Sequence, residues 1–94
     1  MIARYDVEDP EAYLRYALAA DTLLEKHGGE LLVADDLAKP VEGDGGSVSA
    51  VVKFQSETSA LNFYNAPDYQ ALKQIRLAAT TNGSVVIATS SNVA

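Results

Sequence analysis

Residues 9–29 carry both the start and the stop signals of one helix, and the rest of the chain must be arranged around it. Asp9 offers a side-chain oxygen to first-turn amides that have no partner, and Pro10 has its φ already set for the first helical position. Glu11 adds negative charge at the positive end of the helix dipole. Tyr13, Tyr16, Ala17, Ala20, Leu23, Leu24 and His27 then recur at helical spacing on one face. Glu11, Arg15, Thr22 and Glu25 fall on the other. Lys26 and His27 occupy the last turn, and Gly28-Gly29 supply the left-handed stop.

Strand signals flank this helix. Residues 2–7 are β-prone and end at the acidic turn Glu8-Asp9-Pro10. Residues 31–39 and 47–55 read as two strands of a hairpin, joined by the turn-rich segment 40–46. A hairpin symmetric about Asp44 places Asp35 opposite Lys53. Ser56 can cap a second helix, with Ala60, Leu61, Phe63 and Tyr64 on its apolar side. Pro67 removes a donor and disfavours helix at Ala66, so the chain breaks and restarts there. Tyr69, Leu72, Ile75, Arg76 and Ala79 form the inner side of the renewed helix. Asn82-Gly83 reads as a turn, residues 84–90 as the last strand, and residues 91–94 as a frayed tail.

The order β-α-β-β-α-β is that of a ferredoxin-like α+β fold. Right-handed crossovers put the helical segments on one face of a four-stranded antiparallel sheet. The sheet alternates poorly between apolar and polar residues. Val48, Ala50, Val52 and Phe54 share one face while Val51 lies on the other, and Val85 and Ile87 oppose Val86 and Ala88. Helices can cover only one face. An uncovered apolar surface of about several hundred Å² is unusual on a monomer, so the pattern predicts a homodimer joined through the open face.

Composition narrows the partners. Ninety-four residues make a single domain, 1–94, with an ordinary 48% apolar and 21% charged content. The net charge of −6 argues against a nucleic-acid backbone as partner. No apolar run is long enough to span a bilayer, and the N-terminus lacks the layout of a signal peptide. Cysteine is absent, which removes disulfides, thiolate metal ligation and thiol nucleophiles. A cytoplasmic chain is the expectation.

The residues also resemble a known family, the domain-of-unknown-function family 1330 of the dimeric α/β-barrel superfamily. The resemblance rests on Asp9-Pro10-Glu11-Ala12-Tyr13 with Tyr16, on His27-Gly28-Gly29, and on Glu42-Gly43. It is most specific in Tyr64-Asn65-Ala66-Pro67-Asp68-Tyr69 followed by Arg76. It implies a ferredoxin-like subunit that pairs sheet to sheet, with a cavity between sheet and helices. Wider relatives include cofactor-independent monooxygenases, muconolactone isomerases and haem-degrading enzymes. Some positions depart from the family pattern: Phe63 stands for the usual Trp, Ala66 for Ser, Asp35 for an Arg and Lys53 for a Glu.

The candidate chemistry is limited by what the chain contains. His27 is the only histidine, which excludes a multi-histidine metal site, and its place before two glycines reads as a helix cap. Asp35 and Asp36 are successive strand residues whose side chains diverge, so no metal site is expected. Gly43-Asp44-Gly45-Gly46 lacks the Lys and helix of a phosphate loop. No cofactor is implied. Tyr13, Tyr16, Tyr64 and Tyr69 project from helix faces that turn toward the sheet, where they can fill the gap or line a polar-tipped pocket. Arg76, on the same inner side, needs a carboxylate such as Asp6 or Asp9, a row of carbonyls, or an anionic ligand.

Those five residues, Tyr13, Tyr16, Tyr64, Tyr69 and Arg76, are the candidate ligand site. Two classes of function follow. One is a cofactor-independent enzyme, monooxygenase- or isomerase-like, acting on a small organic molecule. The other is a non-catalytic module that binds a small molecule or simply assembles. A cavity at Tyr16, Tyr64 or Arg76 favours the first, and an Arg76 fully paired within the protein favours the second.

Overall fold

The computed structural model describes residues 1–91. Its elements run β1 (Ile2–Val7), α1 (Pro10–Lys26), β2 (Glu30–Asp35), β3 (Val48–Lys53), α2 (Glu57–Asn65), α3 (Pro67–Ala79) and β4 (Thr80–Val86). The strands form one antiparallel sheet in the order β2-β3-β1-β4, the ferredoxin-like α+β arrangement that the sequence predicts. Helix boundaries follow the local signals. Asp9 accepts a hydrogen bond from the Ala12 amide at 3.1 Å, and Ser56 accepts from the Ser59 amide at 3.0 Å. At the other end of α1, Gly28 takes φ +78° and its amide donates to the Glu25 carbonyl. The chain breaks at Ala66, and Pro67 opens α3.

One face of the sheet packs under the helices. Tyr16, Ala20 and Leu24 of α1 meet Val52 of β3, Phe63 of α2 and Tyr69 of α3 in the main core cluster. The other face lies open. Its middle row runs straight across all four strands, Val33–Val51–Ile2–Val86, because these residues face one another in register. Ile2, Val33 and Val86 are 36%, 43% and 51% exposed.

Three strand expectations need correction. The last strand starts at Thr80, with no turn at Asn82-Gly83, and ends at Val86 where Ser90 was expected. Arg4 faces Ser84 and Asp6 faces Thr81, so Asn82 and Gly83 together oppose Tyr5 in a β-bulge. Asn82 absorbs the irregularity at φ 53°. Of the expected frayed tail, 91–94, all but Ser91 lies outside the described residues.

The hairpin register is shifted by four residues at Asp35 and by five at Lys53. Lys53 faces Glu30, and Asp35 faces Ser49; Asp35 and Lys53 share the open face but are not opposite. The loop is not symmetric about Asp44. The Asp35 carboxylate accepts from the Leu37 amide at 2.8 Å, which turns the chain and ends β2 early. Leu32 is an extra residue in β2, so Leu31 and Ala34 face the helices while Val33 faces out. On the returning arm, Arg4 donates to the Gly45 carbonyl at 3.3 Å, and Asp6 accepts from the amides of Gly46 and Ser47 at 2.9 and 3.2 Å. Gly46, at φ +76°, lies so close to Arg4 that a Cβ would stand 2.8 Å from the guanidinium.

Candidate functional site

Between α1 and the covered face of the sheet is a cleft of about 190 Å³. Its floor is small and apolar, with Ala3, Ala50, Val52 and Val85. Short side chains there, beneath Ala17 and Ala20 of α1, leave the space that larger residues would fill. Tyr5, Tyr13, Tyr16, Tyr69 and Arg76 gather around it, with Phe63 behind Tyr69 at a ring separation of 4.5 Å.

The tyrosines work in pairs. The hydroxyls of Tyr5 and Tyr13 lie 2.8 Å apart, and so do those of Tyr16 and Tyr69. Within each pair one hydroxyl donates to the other, so the acceptor's own hydrogen is left for another group. Burial, followed by the bond to Tyr13, drives the pKa of Tyr5 far above the ordinary tyrosine range. Burial and then Tyr69 do the same to Tyr16. Tyr13 is also raised, again mainly by burial. All three are protonated donors at neutral pH and cannot serve as bases there.

Arg76 is 4% exposed. Its Cζ lies 5.6 Å from the Tyr5 ring centre and 6.0 Å from that of Tyr16, within reach of both π faces. Its Nε is buried and has no hydrogen-bond partner among the described residues. Neither acid expected to pair with it does so. Asp6 binds the amides of Gly46 and Ser47 and the Asn82 side chain, and Asp9 caps α1. Burial works against the charge, but Tyr69, Tyr16 and Tyr5 outweigh it, and the guanidinium pKa lies above its ordinary value. A buried, permanently charged fork with an unmet donor faces a cleft.

Four of the five predicted residues therefore meet at one place. Tyr64 does not line the cleft: its ring lies 5.6 Å from Tyr69, under the Lys73 ammonium at 5.0 Å, and its backbone carbonyl accepts from Gln70. Ile75, expected on the inner side, is 39% exposed. Tyr5 and Asp21 are cleft residues that the helix-face reading missed. Tyr5 belongs to a strand, and its inward direction could have been read from the parity of β1. Asp21 is on the flank of α1 next to Ala17 and Ala20, where a polar residue reads as solvated surface.

His27 stands away from this cleft. Its Nε2 donates to Asp68 of α3 at 3.3 Å, beside the Lys26 ammonium at 2.9 Å from the same carboxylate. The cap at the end of α1 is the His27 backbone amide, which donates to the Leu23 carbonyl, and the imidazole ties α1 to α3. No group of three or more His, Cys, Asp or Glu able to hold a metal ion occurs among the described residues. No helix among them is long and apolar enough to cross a membrane.

Fold and cleft together define the class: a ferredoxin-like α+β chain with a tyrosine-walled, arginine-tipped cleft under its first helix. The chain belongs to the family described as Domain of unknown function (DUF1330), which it matches over residues 1–90. No curated protein matches it.

Proposed function

We propose that this protein binds a small organic carboxylate or enolate in the cleft, with Arg76 as anchor and the paired tyrosines as donors. The single observation that carries this reading is the Arg76 Nε, buried and without a partner beside the cleft. An unmet charged donor in such a place is costly unless a ligand answers it, and a carboxylate matches the guanidinium fork. The cleft walls are otherwise apolar and suit a small ring or branched chain. Chemistry here needs neither metal nor organic cofactor. The tyrosine hydroxyls can steady a developing oxyanion, which fits a substrate reactive enough to need only positioning.

Calorimetric titration with benzoate tests the anchor. Wild type is expected to bind it, and Arg76→Met to weaken binding more than tenfold. Equal affinity in the two proteins overturns the reading. A second reading, a non-catalytic binding module, is favoured by the protonated state of Tyr5, Tyr13 and Tyr16, which withholds a base. Exchange of α-protons of a bound keto acid in D₂O separates the two: deuterium incorporation marks the enzyme.

The same proposal includes a cytoplasmic homodimer. The open row Val33–Val51–Ile2–Val86 supports a second copy as its cover, since each Å² of apolar area removed from water stabilises by roughly 25 cal/mol. Light scattering is expected to give about twice 10.0 kDa. Val51→Lys is expected to return it to the monomer mass. A wild-type monomer at micromolar concentration refutes the dimer.

A further inference from the structure

The cleft is electrically polarised. Arg76 is its cation and lies at the Tyr5–Tyr16 end. Asp21 is the carboxylate in its lining, five residues beyond Tyr16 on α1, or about 7.5 Å along the helix axis. Tyr13 senses both ends. After burial and its bond to Tyr5, its hydroxyl is influenced by Arg76 in one direction and by Asp36 and Asp21 in the other. Met1 also lines the cleft, but its ammonium is already committed to the Val52 carbonyl at 2.9 Å. Between the cation and the acid the lining is alanine and aliphatic: Ala3, Ala17, Ala20, Ala50 and Val52.

Resting on the anion-site reading above, we propose that the preferred ligand is a zwitterion. Its carboxylate would meet Arg76, its body would lie on the alanine floor, and a protonated amine at its far end would meet Asp21. The cleft carries a cation toward one end and an acid toward the other, and a ligand with the opposite charges at its two ends complements both. A single anion fills the Arg76 end but leaves Asp21 facing an apolar tail. A dianion of the same length brings its second carboxylate against Asp21. An amine satisfies both ends, and its distance from the carboxylate excludes an α-amino acid, whose two charges are adjacent. Asp21 is accordingly a specificity residue: it selects what lies at its own end of the cleft and takes no part in holding the carboxylate. Because it is exposed, the preference it confers is moderate and weakens with salt.

Three benzoates of nearly one shape test this: 4-(aminomethyl)benzoate, 4-methylbenzoate and terephthalate, titrated calorimetrically at low salt. Wild type is expected to bind the first about threefold more tightly than the second, and terephthalate most weakly. Asp21→Asn is an exposed helix substitution, and its fold is checked by circular dichroism. It is expected to bring the ratio of the first two ligands close to one and to improve terephthalate. Equal binding of the first two by wild type overturns the zwitterion while leaving the anion site standing, provided Arg76→Met abolishes both. An unchanged ratio in Asp21→Asn also overturns it. Failure of all three ligands to bind wild type overturns both readings together.

Discussion

Asp68 and Arg76 stand about two turns apart on α3, and the fold treats them in opposite ways. Asp68, partly exposed, is answered three times: by the Lys26 ammonium, the His27 imidazole and the amide of Tyr69 at 2.7 Å. Arg76, buried, keeps a donor that nothing in the described protein accepts. The more exposed charge has three protein partners, and the buried one leaves its Nε without any. Folding alone would favour the reverse. The contrast separates a charge that fastens two helices from a charge held ready for something else.

Substitution of Arg76 is expected to have the largest effect on binding. Arg76→Met removes the cation–π contacts with Tyr5 and Tyr16, worth about 0.5–2 kcal/mol, and also removes the desolvated, unpaired donor, a penalty of about 1–3 kcal/mol. These oppose each other. The net change then lies between about 1 kcal/mol lost and about 2.5 kcal/mol gained, so the ligand-free variant is expected to stay folded, with a melting temperature close to or above that of the wild type, while binding of benzoate is lost. Unfolding of the variant, measured by circular dichroism, would instead make Arg76 a structural cation and end the contrast with Asp68.

A smaller effect is expected at the hydroxyl pair beneath it. Tyr69→Phe leaves the buried Tyr16 hydroxyl without its 2.8 Å partner, which costs about 1 kcal/mol and lowers the melting temperature by roughly 4–8 °C. Binding of the carboxylate should weaken only a few-fold, because the guanidinium remains. If Tyr69→Phe and Arg76→Met reduce binding equally, the tyrosines are anchors in their own right and the guanidinium is not the dominant contact.

The architecture was legible from signals that act within one turn of chain. Asp9-Pro10, Gly28-Gly29, Ser56 and Ala66-Pro67 each set a boundary where the structure has one. What failed was whatever depended on a long-range register. Asn82-Gly83 is good turn chemistry, yet pairing with β1 on both sides converts it into a bulge opposite Tyr5. Asp35 and Lys53 were matched by assuming a symmetric hairpin, which the Asp35–Leu37 turn and the extra Leu32 undo. Helical spacing groups Tyr13, Tyr16, Tyr64, Tyr69 and Arg76, of which all but Tyr64 line the cleft. The short α2, broken at Ala66, aims that ring toward Lys73 and away from the cleft. Which acid would pair with Arg76 was not readable, because Asp6 is drawn off by a loop whose path no local signal sets.

The mildest test concerns the Asp68 side and works through pH. Hydrogen bonding to Lys26, with smaller help from His27 and the Tyr69 amide, holds the Asp68 carboxyl down to about 2 from an ordinary 3.8. A depressed folded-state pKa means that stability is fully present above the ordinary value and is lost as pH falls through the folded one. The window is therefore pH 4 to 2. Asp6, lowered by its bonds to Asn82, Ser47 and Gly46, adds a loss of the same sign as pH falls below the ordinary carboxylate range. Asp68→Asn should lower the melting temperature slightly at pH 7, where the wild-type carboxylate is charged and partnered. Between pH 4 and 2 the two curves should converge, the wild type falling more steeply, since protonation removes from it what the substitution has already removed. Because Asp68 is solvent-accessible, salt should narrow the gap at pH 7 as well. Parallel curves down to pH 2 would mean that the carboxylate gains nothing from Lys26 and His27. Asp68 would then be as poorly served as Arg76, and the difference between the two ends of α3 would be burial alone.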